Sequence, residues 1–477
     1  MDRKAKIVVT IGPACESEEK LEQLMKAGMN VARLNFSHGD REQHTEYIAR
    51  IRRVSKRLDM SVGILQDLQG PKIRVGDLPK PLFLKPGEVI RLYAQEDPKP
   101  DCAEQVVPVD FPEFFESVHT EDRLLLDDGR LALSVVSAAQ RTITASVVVG
   151  GTLFPHKGIN LPGVRLRIPG FTDKDEIDLA FGLERAVDAV AISFVRSVDD
   201  VIAVRQAMKR LKKDQRKPLL IAKLERPEAL DDLEKILEEV DGVMVARGDL
   251  GVEMPPERVP VIQKHIIQEA NQRAKLVITA TQMLESMIQS PLPTRAEASD
   301  VANAIFDGTD AVMLSGETAS GEYPVESVQM MDRIIREAET HFLEWGQQQG
   351  RIALGGSDAA SMAHAAHELA RDRDVTAVAV FTNTGRTAWL MSKVRPRSPI
   401  LAFTPDPETF LRLAFLWGVR PQLVPFAGSL EEMIHHVDQA ITQSGVVQAG
   451  QQVVLVCGFP IDAMRPPNMA LLHTVGE

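Results

Sequence analysis

Cysteine is scarce in this chain. There are three in 477 residues, Cys15, Cys102 and Cys457. An odd number so widely spaced excludes a disulfide framework and points to a reducing compartment. Positive charge is also in deficit, with a formal net charge of −12. That argues against nucleic acid or an anionic membrane as a partner, so any anionic substrate needs a local cationic pocket. Long apolar runs are missing too. The first run, KIVVTI (6–11), is too short for a membrane span or the core of a signal peptide. A cytoplasmic location is expected. A Gly-rich dinucleotide fingerprint is absent as well, which weakens the case for an open doubly wound sheet.

What is present is rhythm. A length of 477 residues calls for two or three domains, and 44% hydrophobic with 26% charged residues is the balance of a globular protein. Eight apolar runs of strand length recur: KIVVTI (6–11), MNVARLNF (29–36), SVGILQDL (61–68), DAVAISFV (188–195), PLLIAKLE (218–225), DGVMVARGD (241–249), LVITAT (276–281) and DAVMLSGE (310–317). Helix-period stretches such as SEEKLEQLMKAG (17–28) separate most of them. β-Branched runs alternating with amphipathic helices imply parallel strands covered on both faces, and eight such units suggest a closed (β/α)8 TIM barrel.

The spacing breaks once. Residues 71–167 carry strand-and-turn patterns of their own, LKPGEVIRLY (84–93), DDGRLALSVV (127–136) and RTITASVVVGG (141–151). No loop needs that length, so an inserted all-β lid domain is expected there, splitting a barrel domain of 1–70 and 168–345. GQQQG (346–350) reads as a linker to a C-terminal α/β domain, 346–477, with runs at 376–382, 399–404, 421–426 and 452–458.

Barrel chemistry sits at the C-terminal strand ends, and polar residues gather there. The second run ends in Arg33, Asn35 and Ser37, the third in Asp67, the fifth in Lys223 and Glu225. The sixth ends in Arg247 and Asp249, the seventh in Thr279 and Thr281, the eighth in Ser315 and Glu317. Charges at strand ends can merely mark the solvent boundary, but chemically matched groups at most of them favour a site. Glu225 and Asp249 suit Mg2+, which takes few carboxylates and completes its shell with substrate and water, with Mn2+ as the alternative ion. Lys223 beside such an ion implies a polyanion between them. Gly248 should let the chain turn after the sixth strand and expose N–H groups to a carboxylate. Arg33 and Arg74 supply forked donors for a phosphoryl group. Thr281 can pass a proton. Together these suit phosphoryl transfer to or from a small enol phosphate.

IAKLERPEAL (221–230), VARGDLGVE (245–253), ATQMLESM (280–287), PTRAEASDVANAIFDGTDAVMLSGETASGEYP (293–324), RLNFSHG (33–39) and KGINLPG (157–163) resemble the pyruvate kinases. The resemblance spans the whole chain. It implies Mg2+-dependent transfer from phosphoenolpyruvate to ADP, giving pyruvate and ATP, by a homotetramer. A metal-dependent pyruvate-enolate lyase or aldolase on the same barrel is the rival. By position it implies that Arg33 holds the phosphate, Lys223 stabilises the phosphoryl in transit, and Glu225 and Asp249 bind the ion. It further implies that the backbone at Arg247–Gly248 cradles the carboxylate and that Thr281 assists protonation. Asn35, His38, Arg74 and Lys157 would line the ADP side.

DLQGPKIR (67–74) departs from the potassium-activated pattern DTKGPEIR, in which Asn35, Ser37, Asp67 and the following residue surround the ion. Leu68 stands for Thr and Lys72 for Glu. The chain thus resembles potassium-independent members, with Lys72 expected among Asn35, Ser37 and Asp67 in place of K+. In the C-terminal domain, FTNTGRTA (381–388) follows an apolar run and opens a helix. Thr382, Asn383, Thr384, Gly385, Arg386 and Thr387 suit a phosphate nest, although an N-cap plus turn fits them equally. The resemblance favours a sugar-phosphate effector there.

Overall fold

The computed structural model describes residues 3–139, 141–164, 169–211, 217–347, 357–463 and 465–476. Each of the eight apolar runs yields a strand: β1 Lys6–Thr10, β2 Val31–Asn35, β3 Gly63–Asp67, β4 Ala189–Ile192, β5 Leu219–Leu224, β6 Gly242–Ala246, β7 Leu276–Ala280 and β8 Ala311–Leu314. They form a closed barrel in the order β1–β8–β7–β6–β5–β4–β3–β2. All pairings are parallel, and β1 closes the ring with Lys6 opposite Ala311 and Val8 opposite Val31. Alternation along the strands divides the core. Val8, Leu65, Ile221, Met244 and Ile278 fill the interior, whereas Ile7, Ile64, Val243 and Val277 pack outward against helices.

Local signals place the helices. Ser17 accepts from Lys20 N at 3.2 Å to start Glu18–Ala27, and Gly28, at φ 123°, ends it. Thr294 and Glu297 form the capping box of Arg295–Asp307. Glu297 also accepts from Ser286 N at 2.7 Å, which ties down the loop after β7.

β4, β6 and β8 each stop three residues short of their runs, and the last two change how the site is read. β6 ends at Ala246, and Arg247–Glu253 is a helix, so Arg247 and Asp249 are helix-start residues rather than strand tips. β8 ends at Leu314; beyond it Glu317 is fully buried and accepts from the N–H groups of Leu284 and Ser315. Thr279 likewise bonds inward, to Thr309 at 3.0 Å. Both residues serve the frame.

Between β3 and β4 stands an all-β unit with its own core around Phe114, Leu124, Leu133 and Ile143. Its main sheet runs Ile159–Asn160, Arg123–Leu126, Leu131–Ala139, Thr142–Val149, Val89–Ala94, Gln105–Val109. DDGR, expected inside a strand, is a turn: Asp127, Asp128 and Gly129 take φ of 50°, 54° and 84°. The expected lid boundary at 167 and most of GQQQG lie outside the described residues.

The C-terminal unit is a five-stranded sheet ordered Val419–Leu423, Ile400–Thr404, Ala377–Phe381, Gln452–Cys457, Met469–Thr474. The third expected run shifts to 419–423. The last strand, unforeseen, is an antiparallel edge whose residues are mostly half-buried, so it lacks the continuous apolar signature of a central strand. This unit seals the N-terminal end of the barrel. Phe415 enters the interior, and a Cβ on Gly63 would lie 2.4 Å from its ring. Asp310 pairs with Lys393 and Arg395, and Trp389 Nε1 donates to Ala274 O at 2.6 Å. A cavity of about 850 Å³ remains in the join, lined by Arg273, Lys275, Arg386 and Trp389. Among the described residues no helix is long and apolar enough to cross a membrane, and the three cysteines are free.

Candidate active site

Sealing one end leaves the C-terminal strand ends for chemistry, and there an alternating chain of charges crosses the barrel mouth. Arg33 on β2 donates from Nε to Asp67 Oδ2 on β3 at 2.7 Å, with Nη2 also at 2.7 Å. Its Nη1 reaches Thr10 Oγ1 on β1 at 3.0 Å. Lys223 Nζ on β5 stands 3.3 Å from Asp67 Oδ1 and 2.9 Å from Glu225 Oε1, and donates to Ser193 Oγ at 2.8 Å. Glu225 Oε2 accepts from Phe194 N at 2.8 Å. Side chains from β1, β2, β3 and β5, joined by Ser193 just past β4, thus meet at the mouth, although the register staggers them: Arg33 lies opposite Leu65 and Asp67 opposite Ala191.

Burial makes these partners obligatory. Asp67 and Glu225 are each 1% exposed. For Asp67, burial alone would raise the carboxyl pKa, but Lys223 and Arg33 overcome it and hold the group below its ordinary value. Burial would likewise lower Lys223, yet Asp67 and Glu225 push its ammonium up to about 12. Glu225 is raised above its ordinary value by burial, opposed by Lys223 and reinforced by Asp249. Two carboxylates close enough to repel, one of them buried, are a donor set that a divalent cation relieves. Mg2+ therefore fits here. Among the described residues no group of three or more His, Cys, Asp or Glu side chains forms a fuller cage.

The helix Arg247–Glu253 brings the second carboxylate. Gly248 has no positive φ, so the chain does not need glycine there for a turn. Its N–H donates to Thr281 Oγ1 at 2.7 Å, so the expected carboxylate cradle is capped by the threonine hydroxyl. Thr281 itself has φ 69°. A β-branched residue in that region is strained by about 1–3 kcal/mol. Arg247 holds it: Nη2 donates to Thr281 O at 2.8 Å, while Nη1 pairs with Asp300 at 2.6 Å. The Arg247 side chain is therefore occupied in fixing the loop after β7.

On the lid side the expected residues are near but separately engaged. Arg74 Nη1 donates to His156 O at 3.0 Å, and Lys157 Nζ pairs with Asp127 at 2.8 Å. His38 has its imidazole pKa lowered by partial burial and then by Arg74, Lys72 and Arg33, which places all three cations around it. Asn35 Oδ1 accepts from Ser37 N at 3.2 Å. Leu68 is buried, and its carbonyl accepts from Ser193 Oγ at 2.7 Å. Lys72 does not come within ion-pair distance of Asp67, whose oxygens are taken by Arg33 and Lys223. Its ammonium lies 3.9 Å from Asp249 Oδ1 instead. Ser193 was not foreseen; the fourth run, like the first, had no assigned polar end. In the C-terminal sheet, Thr382 Oγ1 accepts from Gly385 N at 3.0 Å, and a cavity of about 120 Å³ is lined by Thr382, Asn383, Thr384, Arg386, Thr387 and Arg465.

A closed parallel barrel with cations and paired carboxylates across its C-terminal mouth, beneath an inserted β unit, defines a barrel enzyme built for an anionic substrate. Residues 2–328 match the family described as "Pyruvate kinase, barrel domain", and residues 360–473 match "Pyruvate kinase, alpha/beta domain". A pyruvate kinase of Geobacillus stearothermophilus is 43% identical over 485 residues, covering 100% of this chain and 81% of that protein. One of Agrobacterium vitis is 44% identical, covering 98% and 97%. The crystal structure of a pyruvate kinase from Cryptosporidium parvum superposes with a TM-score of 0.89 at 35% identity, covering 99% of this chain and 96% of that one. The chain belongs to the pyruvate kinase family and is a phosphotransferase.

Asp67 offers a direct test of the charge chain. Its pKa is depressed in the folded state, so the stabilisation it confers is complete above the unfolded value, about 4, and is lost as pH falls through the folded value. Asp67→Asn should cost on the order of 3 kcal/mol at pH 7, because the buried Arg33 loses its carboxylate and Lys223 loses one of its two. The gap from wild type in thermal midpoint should narrow below about pH 4. An equal gap at pH 7 and at pH 3 would contradict the assignment.

Proposed function

We propose that this chain carries the phosphoryl group of phosphoenolpyruvate to ADP, giving pyruvate and ATP as the last step of glycolysis. The observation that carries the reading is Lys223, a permanently charged ammonium held between Asp67 and Glu225 at the barrel mouth. Glu225 and Asp249 would hold Mg2+, which when bound supplies positive charge to the anionic substrate. The other roles fall to the chain's own side chains. Arg33 and Lys223 exchange part of their carboxylate contacts for phosphoryl oxygens, where fixed cations in a dry site stabilise the charge of the transferring group. The Gly248 N–H turns from Thr281 Oγ1 to the substrate carboxylate, freeing the hydroxyl to relay a proton to the product's methyl carbon. Arg74, Lys157, His38 and Asn35 face ADP as the lid closes. The reading includes a cytoplasmic homotetramer; an apolar groove lined by Ala302, Phe306, Ile334 and the exposed Trp345 supports a contact between copies.

Lys223→Met should abolish phosphoryl transfer while bound pyruvate still exchanges its methyl protons, since the ion and the carboxylate cradle remain. Near-wild-type turnover in a pyruvate-forming coupled assay would sink the role given to Lys223.

The monovalent-cation reading is carried by Lys72. An ammonium 3.9 Å from Asp249 does the work of a bound K+, beside that carboxylate and not beside Asp67 as the residue pattern suggested. At an effective dielectric of about 20, a unit charge at some 4 Å is worth on the order of 4 kcal/mol. Wild-type turnover in sodium-only buffer should therefore change less than about twofold when KCl replaces NaCl, a few tenths of a kcal/mol. Lys72→Glu should lose most activity there and regain part of it with K+. A many-fold activation of the wild type by K+ at constant ionic strength would refute this.

The loop Thr382–Thr387 and its cavity support a sugar-phosphate effector site. Thr384→Glu with Arg386→Glu should leave basal turnover nearly intact and remove activation by sugar phosphates, read as the shift in half-saturation for phosphoenolpyruvate. Activation that persists in the double variant counts against the site.

A further inference from the structure

Each proposed ion ligand has a neighbour with a different task. Arg226 follows Glu225 directly, just past the end of β5. Glu253 lies four residues after Asp249 on the helix Arg247–Glu253, hence on the same face. These two neighbours meet: Arg226 Nη1 stands 2.6 Å from Glu253 Oε1. A third group joins at the same oxygen. Asn160, in the lid strand Ile159–Asn160, donates from Nδ2 to Glu253 Oε1 at 3.0 Å. All three are under a tenth exposed, at 8%, 5% and 7% for Asn160, Arg226 and Glu253.

We propose that Arg226 and Glu253 are positioning residues that fix the separation of the Glu225 and Asp249 carboxylates, and that Asn160 ties the position of the lid to that pair. The inference rests on the reading of Glu225 and Asp249 as ion ligands. Glu225 sits on one element and Asp249 on another, and no direct contact joins the two. The buried Arg226–Glu253 pair is a rigid strut between those elements. A strut one residue from one carboxylate and one helical turn from the other sets their spacing within the length of a side chain.

Location gives the lid a part in this. The two chain crossings into the lid run together here, with Ile159 N donating to Ile73 O at 2.9 Å. Asn160 lies on the second crossing and Lys72 on the first, and Phe194, whose N–H holds Glu225, lines the same small cavity as Arg226 and Glu253. Stability alone does not call for such an arrangement, since two well-packed apolar side chains stabilise a buried contact as well as an ion pair does. A shared carboxylate oxygen does what apolar packing cannot. It gives the lid one directional bond to the strut, made when the lid strand is seated and lost when it swings away.

The test uses the full chain and separates the strut from the lid bond. Mn2+ serves as the probe ion, its affinity read by electron paramagnetic resonance without substrates, beside KM and kcat for both substrates. Arg226→Leu should weaken Mn2+ binding about 10- to 100-fold, the usual effect of losing a group that orients a ligand. Arg226→Lys, which keeps the charge, should recover part of that affinity. Asn160→Leu should leave Mn2+ affinity unchanged and raise KM for ADP roughly tenfold, the equivalent of one hydrogen bond to a charged group. Wild-type Mn2+ affinity in Arg226→Leu would overturn the strut, and an equal loss of Mn2+ affinity in Asn160→Leu would overturn the division of labour. If Arg226→Leu does not fold, Arg226→Lys decides: a few-fold loss supports the strut and an unchanged affinity overturns it. Glu225→Gln with wild-type Mn2+ affinity would instead overturn the ion-ligand reading beneath both.

Discussion

A carboxylate shielded from water stays charged only if its oxygens are answered, and Asp67 is answered from both sides by Arg33 and Lys223. The rest of the site depends on that arrangement. Remove the charge and Arg33 loses its carboxylate while Lys223 keeps only Glu225, a loss that no local packing offsets. Keep it, and Lys223 remains charged, tethered and close to Glu225, while Arg33 is aimed across the mouth from β2. The site is therefore assembled before any substrate arrives. Its cations are held by groups that an incoming phosphate can partly replace, so binding exchanges partners and does not bury naked charge.

The two ends of the barrel solve opposite problems. At the N-terminal end Phe415 fills the space that Gly63 leaves, and Asp310 answers Lys393 and Arg395, so the buried charges are internally settled. At the C-terminal end charges are also buried, but Glu225 is left raised by burial and by Asp249. The first end is finished by folding alone. The second is electrostatically incomplete in a way that a divalent ion and an anion together would correct.

Much of this was legible in the sequence. Eight β-branched runs covered on both faces leave a periodic trace, so every barrel strand was found, and polar residues at one end of six of them could be read as a site. The errors fell where tertiary contact overrides local pattern. Arg247 and Asp249 look like strand tips because the apolar run flows into them, yet the chain turns helical at Arg247. Glu317 and Thr279 look like chemistry and are buried frame. Ser193 carries no signal of its own; its hydroxyl matters because it bridges Lys223 and the Leu68 carbonyl across two strands. Nothing in the residue string separates a carboxylate that binds from one that braces.

Lys72 shows the same limit at higher resolution. Its neighbours in DLQGPKIR imply proximity to Asp67, five residues before it, and the sign of its charge suggests why it can lie beside Arg74. Sequence distance, however, says little once the chain leaves the barrel for the inserted β unit. That crossing carries Lys72 away from β3 to the helix after β6, where it meets Asp249. Asp67 could not have accepted it, because both of its oxygens were already committed within the barrel. The partner of a cation in a crowded site is decided by which carboxylate still has an open side. Here the barrel answers its own buried charges first, and the partly exposed carboxylate on the helix is left for the residue on the crossing into the inserted β unit.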